Sequence, residues 1–169
     1  MIKEKTLNNG DEMKLPNGIT GFYNSENKPP NVDGKHFNQV CVTALSQLGG
    51  EVLMFKEPQY PTNFYNAKVK LRNRIFHILL NEHYPYVAFA SAVEYEKIRF
   101  IDEEAELVKR LSSFYHVLPS SELNLPVILR QASKKDILQN DNEFNQAELE
   151  QIAYWKPKII GEIIFNFWD

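Results

Sequence analysis

The chain has one cysteine, Cys41, in 169 residues. A lone thiol excludes an internal disulfide and points to a reducing compartment. There are four histidines, His36, His77, His83 and His116. None lies two or four residues from another and no cysteine pair accompanies them, so their spacing predicts no metal centre. Asn140-Asp141-Asn142-Glu143 opens like a calcium loop but lacks the glycine at position six and the glutamate at twelve. Gly49-Gly50 follows a helical pattern instead of opening one, which places its amides wrongly for a phosphate cradle. No cofactor is expected. The apolar runs at 78–80 and 86–90 are far shorter than the roughly 20 residues of a membrane span. The opening MIKEKTLNNGDEMK lacks the apolar stretch of a secretory signal, so a cytoplasmic protein is expected. Net charge is only −3, which gives no reason to expect nucleic acid or an anionic membrane as partner.

Aromatic side chains are plentiful: 11 Phe, 8 Tyr and 2 Trp. They carry large buried area and suit a thick core or an interface. Hydrophobic residues make up 43% and charged residues 24%, ordinary globular usage. The length fits one domain, 1–169, able to bury roughly 70% of its unfolded surface.

Residues 1–18 are polar and turn-rich and read as a loosely ordered arm. A short strand is expected over 19–23, then a loop over 24–35 with two prolines and Asp33-Gly34. Phe37, Val40, Cys41, Ala44, Leu45 and Leu48 fall on one helical face and predict an amphipathic helix over about 37–48, stopped by Gly49-Gly50. Strands are expected at 52–55, 67–75, 76–80, 86–92 and 97–101. In 67–75 the alternation sets Ala67, Val69, Leu71 and Ile75 on one side and Lys68, Lys70, Arg72 and Arg74 on the other. Asp102 is placed to cap a helix through Phe114, with Glu106 and Arg110 paired at i, i+4. A last strand around 127–130 and a short helix over 133–139 capped by Ser133 follow. Asn145 with Glu148 is a capping-box pair before AELEQIAYW, and Pro157 ends that helix. Residues 158–169 carry both helical and strand periodicities, and the helical one is preferred. The class expected is α+β: an antiparallel sheet of four to six strands with the 37–48 helix and C-terminal helices packed on one face.

Two functional readings follow. In the first, Cys41 is the nucleophile of a papain-like thiol hydrolase. His77 or His83 takes the proton, Asp102 orients the imidazole and Gln39 donates to an oxyanion. Against it, Cys41 lies inside the apolar stripe, and free cysteine is among the most buried residue types. A site built on distant carboxylates such as Glu94 or Asp102 is the weaker enzymatic alternative. The second reading is better supported by the residues. It is a non-catalytic cytoplasmic binding or regulatory module, of which a toxin-neutralising (immunity-type) protein is one form. Residues 64–101 are net basic and 102–152 net acidic. Lys68, Lys70, Arg72 and Arg74, joined by Lys97 and Arg99 if their strand is a neighbour, would form a face for an acidic protein partner. The aromatic residues of the C-terminal tail are expected to close the core.

Overall fold

The computed structural model describes residues 13–132 and 135–169. Five strands run as an antiparallel meander in chain order: β1 (Glu51–Lys56), β2 (Phe64–Leu71), β3 (Arg74–Asn81), β4 (Tyr86–Glu94) and β5 (Lys97–Ile101). Antiparallel neighbours need only short connections, which is why spatial order follows sequence. β6 (His116–Val117) pairs in parallel with the start of β4, His116 opposite Tyr86. Helix α1 (Gly34–Gln47) precedes the sheet and α2 (Ala105–Ser112) follows it. Then come α3 (Ser120–Leu123), the hairpin of β7 (Leu129–Ala132) and β8 (Lys135–Leu138), α4 (Gln146–Trp155) and α5 (Gly161–Ile164). The fold is α+β, with an antiparallel sheet and helices packed on it.

Those helices divide between two faces. Ala67, Val69, Leu71, Phe76, Ile78, Leu80, Val87 and Phe89 pack with the apolar stripe of α1 and with Leu107 and Leu111 of α2. The alternate residues Phe64, Leu79, Ala88 and Ala90 pack with Leu15, Ile19, Ile152 and the C-terminal tail on the opposite face. The expectation of a single covered face is thus corrected. Ile78, Leu79 and Leu80 are all fully buried, and a continuous apolar run marks a strand covered on both sides. Each such side chain contributes about 1.5–3 kcal/mol.

Helix α1 begins three residues before the expected start because Asp33 caps it, its carboxylate accepting the His36 amide at 3.1 Å. Capping by aspartate satisfies a donor that the first turn leaves open. The helix ends before Gly49, whose φ of +85° a side chain would resist. A Cβ on Gly50 would sit 2.4 Å from the Lys70 carbonyl, so the turn into β1 admits only glycine there.

Three buried asparagines join the N-terminal segment, the sheet and the tail. Asn63 and Asn81 each donate Nδ2 to both the Ile19 and Ile164 carbonyls, at 2.7–3.0 Å. Asn166 donates to the Thr20 and Ile163 carbonyls. Beside them Asn145 and Glu148 form the expected capping box at the start of α4.

Several boundaries differ from the sequence reading. Residues 1–12 of the expected arm lie outside the described residues. Residues 13–18 are not loose: Leu15 is buried and its amide bonds the Asp141 carbonyl. The expected strand at 19–23 is a run of turns, its carbonyls taken by the asparagines instead of a ladder. Helix α2 starts at Ala105 with Glu104 at its N-cap, and Asp102 stands outside it. Ser133 lies outside the described residues, but 135–138 form strand β8 and not a helix, because they pair with 129–132. Over 158–169 only Gly161–Ile164 is helical, and the chain then extends. That extension lets Phe165 meet Phe64 and Phe100 while Phe167 meets Phe64.

Candidate functional site

Cys41 belongs to the middle of α1, not its head, because the helix starts at Gly34. Its side chain is 0% exposed among Phe37, Leu45 and the β2–β4 residues of the helical face. Burial pushes the thiol up to about 12, so the thiolate a nucleophile requires is not formed near neutral pH. No imidazole bonds it. His77 projects from the opposite face of the sheet, with Nδ1 3.0 Å from the Asn66 side-chain oxygen. His83 is held by the Pro30 carbonyl at 2.8 Å and by the edge of the Tyr23 ring. Asp102 accepts both the amide and the hydroxyl of Ser120, fixing the start of α3. Gln39 is exposed on the flank of α1 that faces α2. Glu94 stands opposite Lys97 across the β4–β5 ladder, apart from Asp102. The constellation of Cys41, His77 or His83, Asp102 and Gln39 is not assembled in this fold. A direct check is alkylation: Cys41 should react with iodoacetamide at least about a thousandfold more slowly in the native protein than in urea. Comparable rates would show an open thiol.

No group of three or more His, Cys, Asp or Glu side chains arranged to hold a metal ion occurs among the described residues. A cleft of about 300 Å³ lies between the start of β5 and the tail, floored by Phe100, Trp155 and Trp168. Lysines and glutamates mix on its rim, Lys97 and Lys158 beside Glu96 and Glu162, so it presents little net charge to a ligand.

The basic stripe divides into three parts. β2 ends at Leu71, and Arg72 and Asn73 form a two-residue turn with φ of 53° and 64°. Both central residues of a type I′ turn require positive φ. After that turn the phase of alternation inverts. Arg74 stands opposite Leu71 and shares its face, its guanidinium 5.1 Å from the Phe76 ring. Ile75 moves to the face of Lys70. Arg72 binds Glu104 through two bonds of 2.9 and 3.0 Å, and Arg74 binds Glu103 at 2.7 and 2.9 Å. These two-pronged pairs clamp the β2–β3 turn to the N-terminal end of α2. Arg72 holds the Glu104 carboxyl below its usual range. Both arginines are therefore engaged within the chain. Lys97 and Arg99 lie on β5, separated from β2 by the two strands β3 and β4. Their neighbours Ile98 and Phe100 pack on the C-terminal face, so by alternation the two cations project from the helical face. They do not join Lys68 and Lys70.

What remains is a smaller patch that the sequence reading did not isolate. On the C-terminal face, Met54 stands beside Lys68, Lys68 beside His77, Lys56 beside Asn66, and Lys70 beside Ile75. The tail does not cover this corner: Met54 is 48% and Ile75 53% exposed. Lys56, Lys68 and Lys70 make no ion pair among the described residues, although Glu51 stands opposite Lys70 in the ladder. Burial lowers the His77 pKa, and the charges of Lys68 and then Lys56 lower it further, so the local field is positive. Neighbouring strands are about 4.8 Å apart and residues rise about 3.3 Å along each, so the patch runs about 15 Å obliquely across the three strands, from Lys56 to Ile75. The signal available in the sequence was Lys56, one period of alternation from Met54, but only the β1–β2 register brings it beside β2.

No helix among the described residues is long and apolar enough to cross a membrane. The chain matches no family model, and no curated protein or solved structure shows significant similarity to it.

Proposed function

We propose that the chain is a non-catalytic binding module that docks an acidic protein on the open corner of its sheet. The observation that carries this reading is the conjunction of Lys56, Lys68 and Lys70, without ion-pair partners among the described residues, and the exposed Met54 and Ile75 on three adjacent strands. Lysines of this kind steer an acidic partner toward the face. The two apolar side chains give the contact a centre that water leaves on docking. A toxin neutralised by being covered is one partner of that class. The reduced Cys41 thiol fits action in the cytoplasm.

The test uses two charge-reversal variants of equal charge change. Lys68→Glu with Lys70→Glu alters the open corner, and Lys97→Glu with Arg99→Glu alters the opposite face. Fluorescent poly-L-glutamate at low salt is the probe. The first variant should bind about tenfold more weakly than the wild type, and the second should change much less. Proteins captured from lysate should follow the same order. Equal losses from the two variants, or no loss from the first, reject this face as the docking site.

A further inference from the structure

β1 is an open edge. β2 occupies one side of it, and α1 lies over it on the helical face. Edge strands expose unpaired amides and carbonyls, and they pair with other chains unless blunted. Here the edge is short, and Leu53 and Met54 are 43% and 48% exposed. On α1, the positions facing α2 include His36, Gln39 and Gln47, which share a cleft with Arg110 and Phe114. Val42 falls on the other flank at 100° per residue. It is 44% exposed.

The charges on β1 are arranged for a copy of itself. In an antiparallel pair related by a two-fold axis normal to the sheet, opposed residues must point to the same face. In a regular strand Glu51 and Lys56, five residues apart, would point to opposite faces. The β-bulge between Val52 and Met54 inserts one residue and reverses the parity. Glu51 opposes Lys70 and Lys56 opposes Asn66, so both lie on the C-terminal face. Val52 and Phe55 both pack on the helical face.

We propose that a second copy of this chain pairs antiparallel along β1. Glu51 of each copy stands against Lys56 of the other, and Val52 stands against Phe55. The bulges meet at the centre, with Leu53 and Met54 around the axis. The two meanders then make one continuous sheet. Pairing centred instead on Glu51 or Lys56 would oppose like charges, so the end charges select the register.

The dimer takes up Lys56 and Met54 and leaves Lys68, Lys70 and Ile75 open, so it does not rest on the acidic-partner reading but shares part of its surface, and the two fail separately. Glu51→Lys adds positive charge to the open corner, so it should strengthen polyglutamate binding while it weakens self-association. Sedimentation velocity of the full chain at low salt, from about 5 to 500 µM, measures the association. The wild type should shift from its 19.7 kDa monomer toward twice that mass. Glu51→Lys sets two lysines against each other at both ends and should raise the dimer Kd by about tenfold or more. Glu51→Lys with Lys56→Glu recreates the pairs with signs exchanged and should return Kd to within about threefold of the wild type. Circular dichroism confirms that each variant is folded. A wild type monomeric throughout the range, a Glu51→Lys variant that associates like the wild type, or a double variant that stays as weak as the single one overturns the proposal.

Discussion

Replacing Asn81 with alanine should lower the stability by about 4 kcal/mol, read from urea unfolding with unchanged slope. Asn81 is fully buried at the end of β3. Its two side-chain donors meet the Ile19 and Ile164 carbonyls at 2.9 and 2.7 Å. Its oxygen accepts the amides of His83 and Tyr84 at 2.9 and 3.0 Å. All the hydrogen-bonding capacity of the amide is used. Alanine leaves those two backbone amides without a partner. Each buried orphan costs about 1–3 kcal/mol, and the vacated space adds a cavity term. The two carbonyls suffer less, because Asn63 also donates to both at 3.0 Å. Asn63→Ala and Asn81→Ala should therefore combine non-additively, since only the pair leaves Ile19 and Ile164 wholly unpaired. A loss below about 1 kcal/mol for Asn81→Ala would mean that water replaces the side chain and that the asparagines do not hold the layers together.

Glu148→Ala should cost about 3 kcal/mol. This carboxylate is fully buried. One oxygen accepts the Gly18 amide at 2.8 Å along with the amide and side-chain nitrogen of Asn145. The other accepts the Thr20 amide and hydroxyl at 3.0 and 2.6 Å. One side chain thus caps α4 and anchors the turns at 18–20. Burial raises its pKa, and the bonds from Thr20, Gly18 and Asn145 pull it back without cancelling the rise. A folded value above the unfolded one means that the native state favours the protonated form. The associated stabilisation is complete below the unfolded value, about pH 4.3, and is lost as pH rises through the folded value. Glu148→Gln has no proton to exchange. The stability of the wild type relative to Glu148→Gln should therefore decline as pH rises from about 4. A difference that stays flat or grows with pH would show that the hydrogen bonds outweigh burial.

The elements legible in the sequence are those whose signal is local. The stripe from Phe37 to Leu48 has one helical face, and α1 follows it. The Asn145–Glu148 pair needs only three residues of spacing and forms the capping box. KIRFI is β5 to the residue. The burial of Cys41 was legible for the same reason, since the stripe that contains it faces the core.

The basic patch was legible only as far as Leu71. The alternation in the sequence continues through Arg72-Asn73, because that pair lacks the glycine that usually marks a two-residue hairpin. The turn inverts every later assignment: Arg74 joins the helical face and Ile75 the open one. Whether Arg72 and Arg74 are free depended on Glu103 and Glu104, about thirty residues on, which only packing brings near. The three asparagines carried no sequence signal at all, because their partners are backbone carbonyls from distant segments.

The sequence by itself determined the α+β class, the amphipathic α1, the strands of the antiparallel sheet and the apolar setting of the single thiol. Each follows from a period of two or 3.6 residues that neighbouring positions impose on the backbone. Tertiary structure alone decided that both faces of the sheet are covered, which cations remain unpaired, and that Met54 and Ile75 stand beside three lysines. Those outcomes depend on strand register and on contacts across tens to more than a hundred residues. Such contacts are set by how whole layers fill space, and no local pattern encodes them.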